Sequence, residues 1–323
     1  MKKLIYLFLF SLVFCGSVHA QNHVAFEIDK NGGVASDMPV SMIETNTARL
    51  LTAINNAEAA KSKELDFSGI NMTDDAKNSL AQMWANVHFK VMDDDIFQKC
   101  ISLKANGRVR GYEVANIAIE MIPMNDEYKE SRTQEITISY NKGGTIDDIV
   151  ISMGKHQYTS LMKGAVTLDD YDRRMQILHY VEQFRTAYCQ KDMTFLDNVF
   201  SDDALIITGK RTMNRVKDGR GMVAKTEYTK QSKADYLAGL AKAFKKNKYI
   251  NVKFDEIEVE NNPLHTHMYG VTLKQKWNSS TYSDEGIVFL LWDFSNEEAP
   301  KIYVRTWQYL DDPNRFKTTD FEF

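Results

Sequence analysis

Cysteine is scarce in this chain, and no long apolar run occurs after its first 20 residues. The 323 residues contain three cysteines, of which Cys100 and Cys189 lie far apart in different predicted domains. Two distant cysteines do not form a disulfide framework, so two unpaired thiols are expected, although an exported protein could pair them. A membrane helix needs roughly 20 apolar residues, and no later segment provides them.

Sequence motifs of nucleophilic catalysis and of phosphate binding are also absent. The chain has no Gly-x-Ser-x-Gly, no Gly-Lys-Ser/Thr and no cysteine in a context that lowers its pKa. These absences argue against a serine or cysteine hydrolase and predict no cofactor and no nucleic-acid partner. The apolar fraction of 43% is ordinary for a globular protein.

The N-terminus has the composition of an export signal. Lys2 and Lys3 precede an apolar run over residues 4–15, and small residues lead to Ala20. We therefore expect cleavage after Ala20 and an exported protein, periplasmic or at the cell surface. A lipid anchor at Cys15 is the alternative, which the bulky Phe14 disfavours.

The remaining 303 residues suggest two domains, at roughly 100–200 residues per domain. The predicted organisation is a leader at 21–40, an α+β domain at 41–154, a second domain at 168–310 and a tail at 311–323. Each half runs helix, helix, then strands ending in a hairpin. The first half is therefore either a divergent copy of the second or an unrelated α+β domain.

Helical and strand signals are clear at several places in the first half. Ser41 is expected to cap a helix over residues 41–61, and Thr73 to cap a second helix. Asn106-Gly107 predicts a hairpin turn because both residues tolerate positive φ, and Gly143-Gly144 lies in a second predicted turn.

The second half predicts a curved sheet on a helix. Ile177, Val181, Phe184 and Tyr188 form one apolar face of a helix over residues 169–190. A short helix, a strand at 204–209, an irregular basic insertion at 210–232 and a basic helix follow. The last four segments are strands, at 249–260, 265–277, 286–294 and 301–309. The fold class is α+β, a cone-shaped curved antiparallel sheet wrapped on a long helix.

A short motif carries a family resemblance. Lys191-Asp192, Leu196 and Phe200-Ser201-Asp202-Asp203-Ala204 resemble the first two helices and first strand of nuclear-transport-factor-two-like domains, which include ketosteroid isomerase. The resemblance covers residues 170–310. It implies a pocket at the open end of the cone and often a homodimer packed through the sheet. No residue here aligns with the catalytic aspartate or tyrosines of the isomerase, and a shared fold does not carry a function.

Aromatic residues of the closing strands are the candidate ligand-binding residues. They are Tyr269, Trp277, Tyr303, Arg305 and Trp307. Strand parity places Tyr303, Arg305 and Trp307 on one face. Aromatic rings with one arginine could bind a sugar or an aromatic ligand by stacking, and the alternative is a role in the core or in a dimer interface.

Basic residues cluster in one segment, although the net charge is only −4. Residues 210–248 hold 12 basic and three acidic side chains, whereas residues 21–150 hold 20 acidic and 13 basic ones. The candidate residues for an anionic partner are Lys210, Arg211, Arg215, Lys217 and Arg220. A site for an anionic polymer or lipid headgroup, docking against the acidic first half, and a solvated loop all remain open.

Two further sets of polar residues have structural explanations. Asp202 and Asp203 precede a strand, where a turn or capping pair is the expected role. His265 and His267 share a face of a predicted strand, and His179 or Glu258 could complete a metal site, but no compact ligand motif supports one. We predict no metal and no catalytic residue.

These observations favour a non-catalytic ligand-binding or protein-assembly module of the bacterial cell envelope. The alternative is a small-molecule lyase, isomerase or hydrolase that uses the pocket of the second domain. An enzyme needs converging titratable groups in that pocket, whereas a binding module needs an aromatic lining with few of them.

Overall fold

The computed structural model describes residues 22–31, 34–122, 132–154, 161, 167–215 and 222–321. The predicted export signal with Cys15 lies outside these residues, and so does most of the segment between the two halves.

The first half, in its described part, contains two helices and seven strands. They are β1 (Ala25–Ile28), α1 (Val40–Ala59), α2 (Asp74–Asn86), β2 (His88–Val91), β3 (Asp95–Gln98), β4 (Cys100–Ala105), β5 (Arg108–Ile122), β6 (Thr133–Asn141) and β7 (Ile146–Ile151). Strands β2, β5, β6 and β7 form an antiparallel sheet in that order, and β4 also pairs with β5.

Local signals in the first half predicted its turns well and its helix starts in part. Asn106 and Gly107 have φ of 52° and 69° between β4 and β5, and Gly144 has φ of 80° between β6 and β7. The hydroxyl of Thr73 caps α2 by accepting a hydrogen bond from the Ala76 amide. Ser41 does not cap α1, because Pro39 occupies the N-cap position and makes no side-chain hydrogen bond.

The predicted leader is an extended arm. Its strand β1 pairs in parallel with β3, and Val24, Phe26 and Ile28 are buried in the core. Alternate apolar residues explain this, since successive side chains of a strand point to opposite faces.

The second half contains three helices and six strands among the described residues. They are α3 (Leu168–Gln190), α4 (Met193–Val199), β8 (Phe200–Arg215), β9 (Met222–Ser232), α5 (Lys233–Lys246), β10 (Ile250–Asn261), β11 (Met268–Ser279), β12 (Ser283–Asp293) and β13 (Lys301–Tyr309). The strands form a curved sheet in the order β10-β11-β12-β13-β8-β9, which confirms the predicted fold class. The sheet is antiparallel except where β13 pairs in parallel with β8.

Helix α3 is buried on both sides. The predicted apolar face packs into the cone, where the ring of Phe184 lies 4.9 Å from that of Tyr188 and 6.5 Å from that of Trp292. The opposite face packs on the first-half sheet, where the Thr186 hydroxyl accepts a hydrogen bond from the Ile151 amide. Burial on both faces explains why this helix carries buried polar residues.

The predicted irregular insertion is largely a β-hairpin. Strands β8 and β9 pair in register from Leu205 with Ser232 to Arg215 with Met222. The sequence prediction ended the first strand at residue 209 and was wrong, because the paired segments contain Thr212, Thr226 and Tyr228, and threonine and tyrosine favour strands.

The two halves share an order of elements. In the second half, β8 runs parallel to the last strand and precedes α5 and the closing strands. In the first half, Met72 forms a parallel bridge with Ile146 of the last strand and precedes α2 and the β5–β6–β7 meander. By this order α2 corresponds to α5, not to the short α4. Duplication would produce such an order and stays a prediction.

The C-terminal tail covers part of the outer face of the second sheet. The rings of Phe321 and Phe289 stack at 5.8 Å, and the Asn262 side chain donates a hydrogen bond to the Thr318 carbonyl. No helix in the described part of the chain is long and apolar enough to cross a membrane.

Candidate functional site

The cone pocket is a cavity of about 840 Å³ at one end of the second sheet. Helix α5 closes it on one side, and strands β8, β11, β12 and β13 form the other walls. The lining of the pocket includes aromatic, polar and charged side chains, among them Tyr236, Gln275, Trp277, Asp284, Arg305 and Trp307. Its volume is within the range of roughly 300–1,000 Å³ that is usual for small-molecule sites.

Three of the five predicted ligand-binding residues line the cone pocket, namely Trp277, Arg305 and Trp307. Tyr269 lies on the inner face of β11, eight residues from Trp277 and therefore about 26 Å along the strand. Its ring packs 5.9 Å from that of Phe294, at the far end of the cone.

Tyr303 packs on the other side of the sheet, against an apolar cluster formed by Met268, Phe289, Leu291 and Val304. A register shift between Ile302 and Val304, in the pairing of β13 with β8, explains this position. A bulge inserts one residue and reverses the alternation of faces, so strand parity gave the wrong face for Tyr303.

Arg305 is the buried cation of the cone pocket, with 6% of its surface exposed. Its guanidinium lies 5.1 Å from the ring centre of Tyr236. The hydroxyls of Tyr236 and Tyr188 are 2.7 Å apart. Burial alone would lower the pKa of Arg305, but Tyr236, Tyr188 and Asp284 raise it above its ordinary value. The arginine therefore brings a full positive charge to the pocket.

Several buried polar atoms of the pocket residues have no hydrogen-bond partner in the described part of the protein. They are Gln275 Oε1, Asp284 Oδ1, Arg305 Nε and Trp307 Nε1. Asp284 Oδ2 accepts a hydrogen bond of 2.9 Å from the Tyr282 hydroxyl, and burial raises the pKa of the Asp284 carboxyl. Buried polar atoms are normally paired, so two donors and two acceptors without a partner in the residues around one cavity are unusual.

The predicted anionic-partner residues do not form one site in the described structure. Lys210 lines the pocket. Arg211 forms an ion pair of 2.5 Å with Asp311 and lies 4.3 Å from the ring centre of Tyr309, so it serves the fold. The side chain of Arg215 and all of Lys217 and Arg220 lie outside the described residues.

The interdomain crevice is a second cavity, of about 530 Å³, between α3 and the first-half sheet. Polar side chains from both halves line it, including Asp75, Arg110, Asp147, Asp148, His179 and Gln183. These residues are distant in sequence, and no motif brings them together. The sequence prediction therefore missed this cluster.

A buried ion pair lies beside the crevice. His179 Nδ1 is 3.0 Å from Glu113 Oε2, and the Glu113 side chain is fully buried. Burial alone would lower the pKa of His179, but hydrogen bonding and charge interaction with Glu113 raise it to about 9. Burial raises the pKa of Glu182 to about 8 and that of Asp147 to about 6. The crevice thus joins the two halves through charged groups of opposite sign.

The other polar candidates have structural roles. Asp202 forms an ion pair of 3.0 Å with Lys233, which lowers the Asp202 pKa. His265 and His267 lie in the turn before β11, not on a strand as predicted. His179 is engaged elsewhere with Glu113, and the described residues contain no group of three or more His, Cys, Asp or Glu arranged to hold a metal ion.

Cys100 and Cys189 are free thiols. Burial raises the pKa of the Cys100 thiol to about 12 and also raises that of Cys189. Thiols with raised pKa are poor nucleophiles.

No family model and no curated protein matches the chain. Among solved structures, an NTF2-like protein from Cytophaga hutchinsonii is 13% identical, over 43% of this chain and 98% of its own, with a TM-score of 0.32. An NTF2-like family protein from Streptomyces avermitilis is 11% identical over 43% of this chain and 96% of its own, with a TM-score of 0.32. Bd1075 of Bdellovibrio bacteriovorus is 13% identical over 67% of this chain and 75% of its own, with a TM-score of 0.34. Part of the chain is thus similar in structure to NTF2-like proteins.

Proposed function

We propose that this protein is a non-catalytic binding module, and that its second half holds a small polar molecule in the cone pocket. The observation that carries the proposal is Arg305, a buried guanidinium whose Nε atom has no partner among the described residues and which lines a cavity of about 840 Å³. A buried donor left unpaired costs about 1–3 kcal/mol. A bound molecule that pairs it would recover part of that free energy.

The lining of the pocket supports binding over catalysis. Arginine and tyrosine are its central groups, and burial raises the pKa of the lining residue Tyr282 to about 12. Proton transfer at neutral pH is most efficient for groups whose pKa lies near the working pH. The pKa of this tyrosine lies well above neutral pH.

We also propose a place for this module in the bacterial cell envelope. The support is the basic, apolar and small-residue pattern of residues 1–20, which is that of an export signal. N-terminal sequencing of the protein recovered from cells tests it. A chain that begins at Gln21 supports export, and a chain that retains residues 1–20 in the cytoplasm contradicts it.

A substitution at Gly239 tests the binding function. This glycine lines the cone pocket from α5, and a Cβ atom there meets nothing within 4 Å. Phenylalanine at this position should narrow the pocket without strain, since glycine is itself unfavourable in a helix by about 1 kcal/mol. We expect at least one compound in a panel of sugars, sugar acids and aromatic acids to raise the melting temperature by about 5 °C at 100 times its Kd. We expect Gly239→Phe to abolish that rise.

The matched control is Gly154→Phe, because a Cβ at Gly154 also meets nothing within 4 Å and the residue does not line the cone pocket. This variant should respond like the parent protein. A panel in which no compound raises the melting temperature, or an equal rise in Gly239→Phe, would contradict the proposal.

One observation favours a catalytic alternative, a lyase, isomerase or hydrolase acting in the same pocket. Asp284 has a raised pKa and an unpaired Oδ1 atom, as a general base would. The test is to follow the bound compound by NMR for hours. Conversion that Asp284→Asn abolishes would establish the enzyme, whereas the binding module returns the compound unchanged.

A further inference from the structure

We infer that the molecule bound in the cone pocket is a ring-shaped carboxylic acid bearing hydroxyl groups, of the chemical class of the sugar acids. This inference rests on the proposed binding function and specifies its ligand. It follows from the kinds of polar atom that the pocket residues leave unpaired.

The unpaired donors select a carboxylate. Arg305 Nε and Trp307 Nε1 both carry hydrogens and lack acceptors among the described residues. Asp284 interacts electrostatically with Arg305, but no described carboxylate forms an ion pair with this guanidinium. Guanidinium–carboxylate hydrogen bonds are stronger than bonds between neutral groups, so the group that best pairs these donors is an anionic oxygen.

The unpaired acceptors select hydroxyl groups. Gln275 Oε1 and Asp284 Oδ1 can only accept, and a carboxylate alone cannot serve them. A neutral ring without hydroxyls would leave both unpaired. A molecule that has a carboxylate at one edge and hydroxyls at another satisfies the two donors and the two acceptors together.

The walls of the pocket select a ring. Trp277 and Tyr236 present aromatic surfaces, and Trp307 packs against Gly286, where an added Cβ would lie 2.6 Å from the indole ring. Aromatic faces pack well against the apolar face of a ring, which leaves the edges of the ring to the four unpaired polar atoms.

Three probes separate the contributions of the carboxylate and the hydroxyls. D-glucuronate has both, D-glucose lacks the carboxylate, and cyclohexanecarboxylate lacks the hydroxyls. Binding is measured by calorimetry and by the fluorescence of the pocket tryptophans, Trp277 and Trp307. We expect the Kd of D-glucuronate to be at least about 10-fold lower than that of either other probe, since each of the other two lacks the groups that would pair with one set of unpaired atoms.

Two substitutions test whether Arg305 and Asp284 cause the preference for D-glucuronate. Arg305→Lys keeps the charge but loses the planar fork, and should weaken D-glucuronate about 10-fold while leaving D-glucose unchanged. Asp284→Ala removes the unpaired acceptor, and should weaken D-glucuronate more than it weakens cyclohexanecarboxylate. Asp284 is partly exposed to solvent, so this variant tests the proposal even if Arg305→Lys does not fold, which circular dichroism would show.

The outcomes distinguish the ligand class from the binding function. Cyclohexanecarboxylate or D-glucose binding as tightly as D-glucuronate, with binding lost in Gly239→Phe, overturns the ligand class and leaves the pocket as a binding site. Failure of all three probes to bind also overturns the ligand class. The binding function itself fails only if the wider panel gives no response that Gly239→Phe removes.

Discussion

Replacing Glu113 by glutamine should lower the free energy of unfolding by about 3 kcal/mol at pH 6. Removing one partner of a buried ion pair leaves the other charge uncompensated, which typically costs 3–5 kcal/mol. We choose the lower end because His179 keeps 17% of its side chain exposed and can lose its proton.

The loss should shrink as the pH rises. The pKa of folded His179 is raised to about 9, above the 6.5 of the free side chain. The stability that comes from the ion pair is therefore fully present below pH 6.5 and is lost as the pH rises through 9. Urea denaturation of the parent protein and the variant at pH 6 and at pH 10 measures the loss in the free energy of unfolding at each pH. Ser139→Ala is the control, because it removes only a long hydrogen bond of 3.5 Å to the same carboxylate and leaves both charges of the ion pair in place. An equal loss at the two pH values would show that Glu113 acts through packing alone.

Replacing Glu182 by glutamine should stabilise the protein at pH 8, by about 2 kcal/mol. Glu182 is 1% exposed, and its Oε1 atom accepts a hydrogen bond of 2.6 Å from the Met153 amide. Burial and the charge of Glu113 raise the pKa of the Glu182 carboxyl to about 8. Glutamine keeps the acceptor for the Met153 amide and carries no charge that must be removed from water.

The sign of the pH dependence follows from the raised pKa. The unfolded chain loses the Glu182 proton near pH 4.5 and the folded protein near pH 8, so this group lowers stability progressively between those values. One unit of pKa corresponds to 1.36 kcal/mol, so the raised pKa gives a difference in stability of at least about 2 kcal/mol. The variant and the parent protein should be equally stable near pH 4.5 and differ most at pH 8. Glu256→Gln, at an exposed position, should not change the curve. A Glu182→Gln protein that is less stable than the parent at pH 8 would refute the account.

Short-range patterns predicted much of the fold. The helical stripe that includes Phe184 and Tyr188 is buried in the cone, and the turn at Asn106-Gly107 has the positive φ values that its residues favour. The closing strands were located to within a few residues. Each of these features depends on neighbours within a few positions, which a single sequence records directly.

The candidate site was predicted in part. Trp277, Arg305 and Trp307 meet in the cone pocket, but the bulge beside Tyr303 turns that ring to the other face. A bulge depends on pairing with two neighbouring strands, and strand parity alone does not contain that information. The unpaired atoms of Gln275 and Asp284 were equally invisible, because they are defined by the absence of neighbours in space.

By itself, the sequence determined the α+β class, the helix at the centre of the second half and the aromatic, arginine-bearing face of the closing strands. Periodicity of 3.6 or 2 residues is a local property, and it can be recognised in a single sequence without knowing which segments pack together. Only the tertiary structure decided that α3 is buried between two sheets, that His179 meets Glu113 across 66 positions, and which polar atoms in the cone pocket remain unpaired. Those facts arise from contacts between distant segments, whose geometry is set by the packing of the whole chain.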